Sequence, residues 1–260
     1  METVWLCLAA FGAGAVNAVA GGGTLLTFPA LAGFVPRTIA SASSTVCLFP
    51  ASFASVWGYR SLLPACKRWI LWLAFPSLAG GALGALLVEE KSFRLVIPWL
   101  ILLAALLFLL QPLIARRLKL GPSPHPQPLS QEERGGISPR TIACVVVLQF
   151  LIGVYGGYFG AGIGILMLSS LSFLGLDNIH QINALKSTLA FFMNTTAAIL
   201  FMIRGMVAWE YALPMALASI LGGYLGARLA QRVPAVAVRW LVIVIGFGLA
   251  VYYFVQEFGV

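Results

Sequence analysis

The chain has 260 residues, 60% of them hydrophobic and 9% charged, against about 45–50% and about 25% in an ordinary soluble domain. No soluble fold hides that much apolar surface, and the apolar residues fall in runs near twenty long, the length a hydrocarbon core about 30 Å thick asks of a helix. The net charge of +8 does not point to nucleic acid, because the lysines and arginines sit in short connections between apolar runs, where topology signals sit.

In chain order the apolar runs are Leu6 to Phe34, Ile39 to Tyr59, Trp69 to Val88, Phe93 to Ile114, Thr141 to Leu176, Ile182 to Ile203, Val207 to Ala227 and Ala235 to Phe254. Residues 4–20 have the length of a signal peptide ending in Ala18-Val19-Ala20, but no basic residue precedes them and their glycine pattern returns deep in the chain, so the segment is kept in the mature protein. Six runs have the length of one membrane crossing. The first, with 29 residues, and the fifth, with 36, are too long for one straight helix, and both are interrupted by glycine. The predicted architecture is an all-α membrane protein of about eight transmembrane helices in two pseudo-symmetric four-helix repeats, with glycine-broken first and fifth spans. Residues 1–114 form the first repeat, 115–140 a Pro-rich polar linker, and 141–260 the second repeat.

The duplication rests on three blocks in the same order. Gly12, Gly21, Gly23 and Leu25 recur as Gly153, Gly162, Gly164 and Leu166. Ile39, Ser44, Thr45 and Ala54 recur as Ile182, Ser187, Thr188 and Ala197, and the block from Gly80 to Ala85 recurs from Gly222 to Ala227. Four spans per repeat relate the halves by an axis along the membrane normal; if each overlong span folds back as a hairpin, inverted repeats become available. Cations at Arg60, Lys67 and Arg68, and in the linker at Arg116, Arg117, Lys119, Arg134 and Arg140, assign those connections to the cytoplasm. With four spans per half, both termini share that side. Arg228, Arg232 and Arg239 then flank a connection on the opposite side, against the rule.

Three glycines in a row predict a break, since each costs a helix about 1 kcal/mol relative to alanine, and a break in lipid survives only if buried or lining a wet cavity. At Gly21, Gly22, Gly23 and Thr24, and again at Gly160, Gly162 and Gly164, a functional break is favoured, because the helix starting beyond it offers N–H groups and a positive dipole end to an anion. At Gly12 and from Gly80 to Gly84 close helix packing is favoured. The second and sixth spans add Ser41, Ser43, Ser44 and Thr45 against Asn183, Lys186, Ser187 and Thr188, hydroxyl and amide groups suited to an oxyanion. Lys186 is the one charge well inside an apolar run, either an anion partner or a side chain snorkelling to the interface. Asn17 and Asn194 are weaker candidates on the same logic. No Asp or Glu lies mid-span, and His125 and His180 lie outside the spans, so a carboxylate proton relay, a metal site and a nucleophile–base pair are not evident. Nor do Cys7, Cys47, Cys66 and Cys144 have the spacing of a metal or disulfide framework.

At these residues the chain resembles the TauE/SafE family of sulfite and organosulfonate exporters, also called domain of unknown function 81. The resemblance spans nearly the whole chain: two glycine-rich blocks, each followed by a Ser/Thr-bearing span. It implies transport, usually export, of sulfite, thiosulfate or organosulfonates across the bacterial inner membrane. By position it makes Gly21 to Gly23, Gly160 to Gly164, Ser44, Thr45, Lys186 and Ser187 the expected pathway. The expected function is alternating access at the repeat interface, with a small anion and the lipid bilayer as partners, no cofactor, no enzyme activity and no nucleic acid. A homo-oligomer is left open. The alternative, of a different class, is a membrane subunit that supports another complex without moving solute.

Overall fold

The computed structural model describes residues 2–117, 138–174, 176, 179–229 and 235–259. The linker expected over 115–140 thus lies mostly outside the described residues. Those described form ten α-helices and no strand: α1 (Glu2–Ala20), α2 (Thr24–Ala32), α3 (Arg37–Gly58), α4 (Leu63–Leu86), α5 (Glu90–Arg117), α6 (Pro139–Tyr158), α7 (Ile163–Leu171), α8 (Ile179–Ile203), α9 (Trp209–Leu229) and α10 (Ala235–Phe258). Short 3₁₀ turns at Arg60–Leu62 and Ser172–Leu174 precede α4 and extend α7. Five helices, within α3, α4, α5, α6 and α8, are long and apolar enough to cross a membrane among the described residues. The surface agrees, since large apolar side chains such as Phe75, 77% exposed, point away from the core.

The two overlong spans each become two helices. Gly21, Gly160 and Gly162 take φ of +72°, +81° and +74°, the left-handed region that favours glycine, and break the chain there. The break is a reversal. Beyond it α2 runs back along α1: a Cβ on Gly23 would lie 2.5 Å from the Ala13 carbonyl oxygen, and Leu26 lies against Gly12. In the second half the Tyr155 hydroxyl, in the last turn of α6, donates to the Ala161 carbonyl at 2.6 Å across the turn.

Helix directions follow from which ends touch. α4 and α8 run side by side in the same sense: Cys66 meets Gln181 near their starts, Thr196 donates to Leu78 O at 3.0 Å in the middle, and the Arg204 guanidinium donates to Ala85 O at 2.6 Å and Val88 O at 2.9 Å at their ends. That guanidinium satisfies carbonyls left free where α4 stops. α6 runs parallel to α4, with Gln149 bonded to Ser77 at 3.0 Å and Gly84 set against Val154 and Tyr158. In the other half α3 runs parallel to α9, through Ala208 N–H to Ser43 Oγ at 2.9 Å and Ser219 Oγ to Cys47 O at 2.6 Å, and α1 packs on α9. α2, which runs back along α1, leads to Phe34, whose ring lies 5.9 Å from that of Tyr211 at the start of α9, so α1, α3 and α9 point one way and α4, α6 and α8 the other.

The starts of α3 and α5 and the end of α10 meet on one face, where Glu257 pairs with Arg37 at 2.7 Å and Arg94 at 3.4 Å, and Thr38 donates to Glu90. The end of α5 and the start of α6 lie on the opposite face, here the linker face. Each half thus reverses once more than a four-span count provides. The start of α1 and the end of α10 lie on the face opposite the end of α5 and the start of α6, in place of the shared side expected from four spans.

Glycine sets how closely the crossing helices approach. A Cβ on Gly84 would lie 2.1 Å from the Val154 carbonyl oxygen, and one on Gly222 only 1.9 Å from that of Phe11. Gly12, expected to serve packing, has its nearest neighbour, a Leu26 side-chain carbon, at 3.8 Å; in α1 it is Gly14 that makes the close approach, against Ser219 and Gly223.

Candidate functional site

The two breaks meet. Gly164 N–H faces the Gly21 carbonyl at 3.5 Å, and a Cβ on Gly21 would lie 2.8 Å from Gly164 Cα. Thr24 is buried beside Gly160, and Gly162 lies against Ala104 and Phe108 of α5. Fold-back explains the encounter: each hairpin delivers a sharp glycine turn into the interior, and only side chains this small let two turns touch.

Next to this crossing lies a small cavity of about 30 Å³, lined by Asn17, Gly21, Ser52, Ser55, Ile163, Gly164, Lys186, Ser187, Ala190 and Asn194. Lys186, Ala190 and Asn194 are successive i, i+4 positions on one face of α8, and Asn17 and Gly21 have the same spacing at the end of α1. The first turn of α7 contributes Ile163 and Gly164, so a helix N-terminus opens on the same space. Lys186 is 5% exposed and makes no hydrogen bond or ion pair with a described residue. A buried ammonium is expensive without an acceptor, so its missing partner marks the cavity as unfinished chemistry.

On the far side of the crossing, toward the terminal face, the structure is packed. Thr27 and Ser44 share a 2.5 Å hydrogen bond, and Phe28 lies within 5.4 Å of Phe159, 5.9 Å of Tyr253 and 6.3 Å of Phe93, ring centre to ring centre. The cavity thus sits on the linker side of a closed floor.

Of the residues singled out by sequence, Asn17, Gly21, Gly164, Lys186, Ser187 and Asn194 line this cavity. Gly23 precedes α2 and Gly162 precedes α7, while Gly22 abuts the Phe108 ring. Ser43 accepts from the Ala208 N–H, Ser44 bonds Thr27, and Thr45 and Thr188 donate to the carbonyls of Ser41 and Ala184 in their own helices. Asn183 is half-buried in α8, away from the lining. Sequence reasoning missed Ser52 and Ser55, which share a helix face one turn apart; that spacing was the available signal.

Apolar helices in this number, a hydrophobic exterior and a polar, cation-bearing cavity where broken helices cross define a multi-pass membrane protein of transporter build. Residues 6–253 match the family described as Sulfite exporter TauE/SafE, and the chain belongs to that family. It is 30% identical over 246 residues to a "Probable membrane transporter protein" of Haemophilus influenzae, covering 91% of this chain and 88% of the relative. A second relative, "Probable membrane transporter protein ORF9" of a Sinorhizobium species, is 32% identical, covering 95% of this chain and 90% of its own. "Probable membrane transporter protein YfcA" of Escherichia coli K12 is 28% identical, covering 90% and 82% respectively. No solved structure matches the chain at a significant level.

Proposed function

We propose that the chain exports small sulfur-containing oxyanions, such as sulfite, thiosulfate or organosulfonates, across the bacterial inner membrane by alternating access at the crossing of its two broken hairpins. The observation that carries this reading is Lys186: a buried ammonium with no partner among the described residues, in a polar cavity beside a helix N-terminus, calls for an anion. The family description supplies the sulfur chemistry.

The two halves are inverted repeats in this reading. The main packing relations are matched between the halves: α1 on α9 against α6 on α4, α3 on α9 against α8 on α4, and α2 on α10 against α7 on α5, with α3 and α9 pointing opposite to α8 and α4. Exchanging which half is packed and which holds the cavity would then open the opposite face. The linker face is cytoplasmic. It gathers Arg60, Lys67, Arg68 and Arg140, in accord with the positive-inside rule. A membrane potential of 100 mV, negative inside, favours outward movement of each negative charge by about 2.3 kcal/mol, so export proceeds without a coupled ion.

Uptake of labelled sulfite into proteoliposomes of the full chain tests this. Wild type should carry sulfite in response to an imposed potential and Lys186→Met should not. No flux of sulfite, thiosulfate or a sulfonate by folded wild-type protein would refute the reading.

A further inference from the structure

We propose that the Lys186 cavity takes its anion in singly charged form, so that this chain selects monoanions over dianions of equal size. This rests on the anion-transport reading above and specifies the charge of the substrate.

The lining of the cavity carries one formal charge, the Lys186 ammonium, and its remaining polar groups are neutral. Among them Ser52 and Ser55 already donate to the carbonyls of Leu48 and Ala51 at 3.3 and 3.1 Å, one N–H of the Asn194 amide donates to Ser52 Oγ at 3.4 Å, and the Gly164 N–H faces the Gly21 carbonyl, which leaves the Asn17 amide, the second N–H of Asn194 and the Ser187 hydroxyl to face an anion beside the α7 N-terminus. The other half adds no cation. By the repeat, the position of Lys186 is held there by Ser43, fully buried and bonded to the Ala208 N–H, and the Thr27–Ser44 bond closes the space beside it.

A monoanion therefore makes the occupied cavity neutral. A dianion leaves a full negative charge opposed only by the α7 dipole, about half a charge, above a packed floor that closes the terminal side. For sulfite the same argument makes bisulfite the carried species, so flux at fixed total sulfite falls as pH rises through the bisulfite–sulfite titration.

The experiment compares isethionate, a two-carbon sulfonate with one charge, and sulfoacetate, of the same skeleton with a second charge on its carboxylate, in proteoliposomes of the full chain. Isethionate flux should exceed that of sulfoacetate by about tenfold or more, Lys186→Met should lose both, and Ser55→Lys, which adds an ammonium at the half-exposed rim, should raise the ratio of sulfoacetate to isethionate. Equal or faster sulfoacetate flux that still depends on Lys186 would overturn charge selection and leave anion transport standing. Absence of flux for either probe with folded wild-type protein would overturn both. If Ser55→Lys does not fold, the wild-type ratio and the mutual inhibition of the two probes decide.

Discussion

The two halves of this molecule share a fold and differ in chemistry at one equivalent position. In the second half α8 places Lys186 on a cavity, bonded to no described residue, while in the first half α3 places Ser43 in a packed interior with its hydroxyl bonded to the Ala208 N–H. Both helices start beyond a glycine turn that folds a re-entrant helix back on its predecessor. Architecture is thus symmetric and charge is not, which separates the residues that build the hairpins from those that face an anion.

Lys186→Met breaks this comparison with the largest effect: anion flux should fall about 100-fold or more, the loss expected when an intramembrane charge partner disappears. The same variant no longer buries an uncompensated ammonium, so its melting temperature should rise by about 2–4 °C, the shift that about 1 kcal/mol gives a chain of this size. A fall in both flux and stability would make Lys186 structural. Next come the crossing helices. Gly84→Val or Gly222→Val drives a side chain into a carbonyl oxygen and should cost about 1–3 kcal/mol or more, read as lost yield of monodisperse protein, whereas Gly12→Ala meets only Leu26 at ordinary van der Waals distance and should be neutral or stabilising by up to about 1 kcal/mol.

Ser43→Ala leaves the Ala208 N–H without its acceptor and should cost about 1–3 kcal/mol of stability while flux per folded molecule stays near wild type. Equal flux losses in Ser43→Ala and Ser187→Ala would erase the distinction between the halves. The smallest effect is expected at the terminal face: Arg94 is half exposed and 3.4 Å from Glu257, so Arg94→Ala should change thermal stability by about 0–1 kcal/mol, less than Arg37→Ala at the buried 2.7 Å contact.

Much of the fold is legible in the residues. The glycine blocks announce two breaks because glycine runs in apolar spans have few uses, and the structure places positive φ at Gly21, Gly160 and Gly162. Direction is not legible. An overlong span of 29 or 36 residues is satisfied equally by tilt, by a kink or by a reversal, and what decides it is contact between residues far apart along the helix, as between Gly12 and Leu26. The length of the first and fifth runs leaves room for a hairpin, and with it another reversal, in each half. At the cavity, Lys186 stands out because a lone charge is conspicuous among apolar neighbours, while Ser52 and Ser55 look like any serine that bonds its own helix. The hydroxyls of the first half, from Ser43 to Thr45, are alike in sequence to those of the second and are separated from them only by packing.

Thiol labelling of Ser55→Cys, in a chain whose native cysteines are replaced, tests the central claim most directly. In sealed vesicles of known orientation, a membrane-impermeant maleimide should label this position faster from the linker face, and isethionate should slow the labelling in a chain that retains Lys186 and leave it unchanged in Lys186→Met. Labelling faster from the terminal face, or indifferent to isethionate with Lys186 present, would contradict an anion cavity opening on the linker side.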